Sequence, residues 1–321
     1  MSSEQGPDVR GRETGRAAMV SVLSNSLLTG AKLTIGLLTG SVSVISEALH
    51  SGNDLVAALL ALFSVRKASQ PADRRHAFGH GKFEALSGAI EAALIVVAAL
   101  AIIATAIRDM LLGQGHELEH GPAIAVMGVS ALANIVVSAH LRHVANRHES
   151  IALHADAAHL TADVWTSAGV FVGLSVAYGF DQAGRAVHWV DPALAILVGL
   201  LVMGQGWRIA SQSLAQLVDR ALPTEEIARI EAIISAHSGM FVEYHELRTR
   251  QAGHERHIDL HLVVCRDVPV STAHALTDHL EQDIRSAFPS AQVMIHVEPC
   301  LDGACPEDCP ESSAPPAPSA R

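Results

Sequence analysis

Apolar residues fill the first two thirds of this chain in blocks too long for ordinary amphipathic helices. A helix crosses the hydrocarbon core of a bilayer with about 20 mainly apolar residues. Six such stretches are predicted, at 17–39, 43–65, 86–112, 121–141, 152–180 and 190–212. Lys32 interrupts the first, His50 and Asp54 the second, Glu91 the third, and His159 and Asp163 the fifth. The fourth and sixth are uncharged from Gly121 to Ala139 and from Pro192 to Trp207. After about Leu214 the periods shorten and predict helix 224–238, strand 242–251, strand 256–265, helix 270–287 and strand 291–298. Alternation along the strands puts Ile258, Leu260 and Leu262 on one side and His257, Asp259 and His261 on the other. Val293, Ile295 and Val297 likewise oppose Met294, His296 and Glu298. The expected fold is an α-helical membrane protein with six transmembrane helices, plus a cytoplasmic α/β ferredoxin-like domain with helices on one face. The expected division is an N-terminal segment 1–16, a membrane domain 17–214, a soluble domain 215–299 and a disordered Cys/Pro-containing tail 300–321.

Charge placement adds an orientation. Lys and Arg in short loops mark the cytoplasmic side. Arg10, Arg12 and Arg16 precede the first stretch; Arg66, Lys67, Arg74, Arg75 and Lys82 follow the second; Arg142 and Arg147 follow the fourth. The other side offers only Arg108 and Arg185. Both termini are therefore expected in the cytoplasm. A content of 49% hydrophobic and 17% charged residues favours a polytopic membrane protein over one soluble domain. A formal charge of −11 argues against nucleic acid as a partner. The 19 histidines point to metal or proton chemistry. Three of the four cysteines, Cys300, Cys305 and Cys309, fall in the tail and match no strong zinc pattern, so an inert, reduced tail stands slightly ahead of capture of a soft metal ion. Cys265 reads as a packing residue.

Residues four apart on a helix share a face, so His50 pairs with Asp54 and His159 with Asp163. At a rise of 1.5 Å per residue, each pair lies roughly 12–18 Å from the surface at which its helix starts, near the midplane. An intramembrane carboxylate costs about 2.5–3.5 kcal/mol even on lenient insertion scales. Two imidazoles and two carboxylates form a tetrahedral N₂O₂ set for Zn²⁺, and the cation compensates the carboxylates. The competing reading, two separate helix contacts, does not explain matching pairs at equal depth. Asn53 and Ser167 read as ordinary interhelical hydrogen-bonding groups. His154 and Asp156, lower on the fifth stretch, read as solvated helix-end residues rather than an ion entry path. Asp73, His76 and His80 cluster in the basic loop, which taken alone reads as solvated. The histidines on the polar strand faces, joined by His245 and His274, point to a metal cluster, against the alternative of a solvated sheet face.

The paired H-x-x-x-D motifs in the second and fifth spans resemble those of the cation diffusion facilitator family. Within that family the chain resembles bacterial zinc/iron efflux pumps of the FieF (YiiP) type. PADRRHAFGHGKFE (71–84), LVDRALP (217–223) and HELRTRQAG (245–253) are similar to that subfamily. The resemblance implies a homodimer in the inner membrane of a bacterium, with a second metal site at Asp73, His76 and His80. It implies an ion pair between Lys82 and Asp219. It also implies a binuclear site at the dimer interface, with His245, His261, His274, His296 and Glu298 at its ligand positions. Two departures stand out: the FieF type carries Asp where this chain has His50, as zinc-selective members do, and Asp where it has Glu298.

The expected function is proton-coupled export of zinc from the cytoplasm by alternating access, through His50, Asp54, His159 and Asp163. No Walker A sequence is present, so an ion gradient must supply the energy. His50 and His159 are the natural groups at which protons compete with metal. The expected partners are membrane lipid, divalent metal ions and protons; no enzyme activity is expected. The alternatives are iron, cadmium, manganese or cobalt efflux by the same mechanism, a membrane-anchored metal sensor, and an intramembrane metalloenzyme, which the absence of H-E-x-x-H disfavours.

Overall fold

The computed structural model describes residues 7–39, 42–112, 122–182 and 190–301, and divides into two compact units, Met1–Ala215 and Gln216–Arg321. The first unit is built from helices α1 (Pro7–Thr39), α2 (Val42–Ala68), α3 (Lys82–Leu112), α4 (Pro122–His148), α5 (Ile151–Gln182) and α6 (Val190–Leu217). They contain 27 to 33 residues each. At 1.5 Å per residue that is about 40–50 Å, longer than the roughly 30 Å hydrocarbon core. Among the described residues, Val9–Ile35 and Lys82–Arg108 are long and apolar enough by composition alone to cross a membrane.

Helix α1 starts ten residues before the predicted span. Pro7 suits a first helical position, where no backbone N–H is needed. Arg10 then reaches inward: its Nη2 donates to Glu84 Oε1 at 2.7 Å and its Nε donates to the His148 carbonyl at 3.2 Å. Ser150 Oγ donates to the second Glu84 oxygen at 2.5 Å. One buried carboxylate thus ties the starts of α1 and α3 to the α4–α5 joint. That joint is two residues long. Glu149 takes a left-handed conformation (φ 51°) that ends α4, and Ser150 Oγ accepts from the Leu153 amide to start α5.

Helix α5 packs on both sides. Leu153, Ala157 and Leu160 join Ala17, Leu62, Val65, Leu141 and Val144 in one cluster, and Ala155 and Ala162 join Ile95, Ala99, Val198 and Val202 in another. Small residues allow such close approach. A Cβ on Gly88 would stand 2.6 Å from Ser213 Oγ, and one on Gly199 would stand 2.7 Å from Ile103 Cγ1. Outward positions are apolar instead, among them Leu23, Leu27, Leu38, Phe63, Val97 and Trp207, whereas Asn25, Lys32, Asp54, Glu91 and Asp156 are buried. A water-soluble bundle has the opposite arrangement; lipid is the solvent that suits this one.

The second unit runs α7 (Thr224–Ser235), β1 (Glu243–Ala252), β2 (Glu255–Val264), α8 (Val270–Ala287) and β3 (Ala291–Pro299). The strands are ordered β1-β2-β3, with the first pair antiparallel and the second parallel. The predicted elements are all present, with ends within three residues. Ile258, Leu260 and Leu262 pack against Ile230 and Ile234 of α7 and Leu276, Leu280 and Ile284 of α8, so both helices cover the apolar sheet face. The expected inert tail does not begin at Cys300. Its N–H donates to the Val264 carbonyl at 2.9 Å, which extends the β2–β3 edge, and its side chain is buried. Cys300 and Cys265 are each in disulfide linkage, so Cys300 is not the reduced tail residue that the sequence suggested and Cys265 is not a packing residue alone.

Candidate metal centres

In the helical unit, α2 and α5 bring three of the four predicted ligands together. Ligand atoms of Asp54, His159 and Asp163 lie within 4.8 Å of one another, and His159 Nε2 is 3.1 Å from Asp54 Oδ1. His50 stands one turn before Asp54 on α2. The side chains of His50, Asn53 and Ser167 lie outside the described residues, as do Arg185, Cys305 and Cys309. Two carboxylates and an imidazole in a bundle interior form a hard, anionic pocket suited to a divalent cation.

The same face of α5 holds a group that the sequence reading placed in solvent. Asp156 is 0% exposed, and neither carboxylate oxygen has a well-formed hydrogen bond among the described residues. It lies three residues before His159 and seven before Asp163, so the three form one stripe. Glu91 of α3 is also fully buried; Ser87 Oγ donates to its Oε1 at 3.1 Å. The interior is therefore more acidic than the paired motifs alone suggested. The spacing of 156, 159 and 163 carried that signal, but proximity to the helix start outweighed it.

The loop between α2 and α3 folds around Asp73. Its Oδ1 accepts from the backbone amides of His76 and Arg75, each at 2.7 Å, and these bonds hold the carboxyl below its ordinary range. His76 Nδ1 lies 3.2 Å from Asp73 Oδ1, and His80 Nε2 lies 3.3 Å from Oδ2. The His80 side chain is only 1% exposed, and neither ring nitrogen has a well-formed hydrogen bond among the described residues. A buried imidazole in that state fits a metal ligand better than the solvated loop residue that the sequence alone suggested. Lys82 opens α3, and Asp219 (φ 56°) accepts from Arg250 Nη1 at 3.3 Å.

The third cluster follows from strand register. His245 pairs with His261 across β1 and β2, and His261 pairs with His296 across β2 and β3, which sets three imidazoles in one row. Ring centroids are 5.3 Å apart for the first pair and 4.9 Å for the second. Glu298, one pleat further along β3, lies 2.8 Å from His261 Nδ1, 3.5 Å from His245 Nε2 and 3.7 Å from His296 Nε2. A bulge between His245 and Arg248, with Glu246 left-handed at φ 51°, shifts the β1 register beside the cluster. His274 is elsewhere, exposed on α8 with its Nε2 3.5 Å from Asp278 Oδ2.

Residues 18–218 match the model of the cation efflux transmembrane domain, and residues 222–300 match that of the cation efflux protein cytoplasmic domain. The chain belongs to the cation efflux family. Its curated relatives include the cation-efflux pump FieF of Citrobacter koseri and of Escherichia coli K12. Each is 33% identical over 291 residues, covering 90% of this chain and 94% of the relative. A solved structure of the Zn form of CzrB is 46% identical over 25% of this chain and 92% of its own, with a TM-score of 0.25. A cation efflux protein is a membrane transporter of metal ions, not an enzyme, and this chain carries both the transmembrane domain and the cytoplasmic domain of the family. Histidine and carboxylate clusters occur in both.

Proposed function

We propose that the protein exports zinc from the cytoplasm in exchange for protons, through a four-ligand site of His50, Asp54, His159 and Asp163. The supporting observation is the convergence of Asp54 from α2 with His159 and Asp163 from α5 inside a bundle whose outer surface is apolar. Zinc is favoured by the donor set, since imidazole nitrogen and carboxylate oxygen both suit its tetrahedral coordination. Alternating access loads the site from the cytoplasm and releases the ion outward as protons take its place. Metal ligands must be deprotonated, so acid on the outer side promotes release. In this reading the six long helices all span the inner membrane, both termini are cytoplasmic, and the protein works as a homodimer. The loop cluster is an auxiliary metal site. The sheet cluster senses zinc and draws the two cytoplasmic domains together, with His274 as an interface ligand.

The test is zinc uptake into inverted membrane vesicles under an imposed pH gradient, acid inside. Asp54→Ala and Asp163→Ala are each expected to abolish uptake, and collapse of the gradient to stop it in the wild type. Undiminished uptake in either variant removes the central site from the mechanism. Uptake indifferent to the gradient removes the proton coupling. Competition with iron, cadmium, manganese and cobalt in the same vesicles tests the choice of zinc.

A further inference from the structure

A third group of ligand-type side chains lies in the second unit, on its helical layer rather than on the sheet histidines. His237 sits in the turn that follows α7, and His279 and Asp283 stand one helical turn apart on α8. The core stripe of α8 is Ala273, Leu276, Thr277, Leu280 and Ile284, so His279 and Asp283 flank it, on the side that faces the end of α7. His237 Nε2 lies 3.3 Å from Asp283 Oδ2, and His279 Nε2 lies 3.9 Å from the same oxygen. The two imidazoles meet edge to face at 76°, with centroids 5.0 Å apart. All three ligand atoms fall within 4.8 Å of one another.

Zinc–ligand bonds of about 2.0–2.1 Å put neighbouring ligand atoms of a tetrahedron roughly 3.3 Å apart. One of the distances already has that value, and the other needs a small rotation of a side chain that is one third exposed. The supporting contact is also present. The Ile233 carbonyl accepts from His237 Nδ1 at 2.9 Å, which fixes the tautomer and leaves the Nε2 lone pair on the side of Asp283. A groove of about 400 Å³, lined in part by Ile233, Ala236, His237 and Asp283, leaves room for a fourth ligand.

We propose that His237, His279 and Asp283 form a separate divalent-cation site of the zinc class, with water as the fourth ligand. Three protein ligands and an open position make an exchangeable site rather than a closed structural one. The ion ties the end of α7 to the middle of α8, so binding stiffens the helical layer that supports the sheet. The proposal does not depend on the transport reading.

Zinc alone is the probe, added to the full-length protein in detergent at matched free concentration, with bound zinc counted after equilibrium dialysis. Asp283→Asn and His279→Gln, both close in shape to the native side chains, are each expected to remove one zinc ion per protomer while uptake into vesicles is unchanged. His261→Ala in the sheet cluster is expected to remove a different ion, so the losses in the combined variant add. Cobalt-loaded wild type minus Asp283→Asn is expected to show the visible d–d bands of a tetrahedral site. Unchanged stoichiometry in Asp283→Asn and His279→Gln, with unchanged thermal midpoints, overturns the proposal. So does a combined variant that loses no more metal than His261→Ala alone.

Discussion

Arg10 is the residue whose structural role departs most from its sequence role, and it allows a sharp test of the helical unit. In the sequence it is one of three N-terminal arginines that set orientation. In the structure Arg10 is buried and bonded to Glu84, which is 0% exposed, whereas Arg16 is exposed on the same helix. Arg10→Met removes a cation from a buried carboxylate that still accepts from the Ser150 hydroxyl. Removing one member of a buried pair costs about 3–5 kcal/mol, against about 0–1 kcal/mol for an exposed one. Replacing both members, as in Arg10→Met with Glu84→Gln, leaves no uncompensated charge and is expected to recover most of that loss. For a unit of this size, 1 kcal/mol moves a thermal midpoint by about 2–4 °C, so Arg10→Met is expected to lower it by roughly 6–20 °C. The assay is size-exclusion recovery after heating in one detergent, with Arg16→Met as the control for lost N-terminal charge. Equal shifts for Arg10→Met and Arg16→Met refute the reasoning, because the arginine then acts through charge count and not through Glu84. A double variant that is simply additive refutes the coupling.

Gly88→Ala is expected to destabilise by about 1–3 kcal/mol, since its Cβ would stand 2.6 Å from Ser213 Oγ and 2.7 Å from Ile151 Cγ2. Gly204→Ala, with nothing within 4 Å, is the neutral control in the same melting assay. Glu298→Ala removes the carboxylate shared by His245, His261 and His296, so zinc-driven association of detergent-solubilised protein should need at least tenfold more free zinc in light scattering. For the loop, the depressed Asp73 pKa keeps that carboxylate ionised as pH falls below its ordinary value. The stability it contributes is present above the unfolded-state pKa and is lost only as pH drops through the lower folded value. Asp73→Asn, which removes the carboxylate that lies beside both His76 and His80, should weaken zinc binding in a titration of the full chain.

Elements of the second unit were legible because β2 and β3 alternate through their centres and each helix carries a single apolar stripe; one period decides the burial of most of an element. Strand register was not legible, yet it aligns His245, His261 and His296 into one row, and only the pairing of three strands fixes it. In the helical unit the His/Asp spacing on α5 was legible because a carboxylate in an apolar run has no other ready explanation. The burial of Asp156 was missed because depth was judged from distance to the helix start, where residues of α4 and α3 pack against α5. Arg10 was misjudged for the same reason: a polar residue outside an apolar stretch looks solvated unless its partner, here Glu84, is known. The His237, His279 and Asp283 group was beyond reach, because it joins a helix-ending turn to a helix more than 40 positions away.

The placement of α5 explains how lipid-embedded carboxylates can be held in position. Lipid gives helices no hydrophobic reason to associate, so positional precision must come from packing and internal polar bonds. Helix α5 has both: apolar clusters on two sides, and at its start the Ser150 hydroxyl bound to a carboxylate that also binds Arg10 of α1. Its remaining face carries Asp156, His159 and Asp163 towards the interior, where Asp54 of α2 meets them. The acidic stripe is tolerable only while cations or protons compensate it. In the antiport reading proposed above, a charge set of that kind on a well-braced helix is what would make metal and proton occupancy exclude each other.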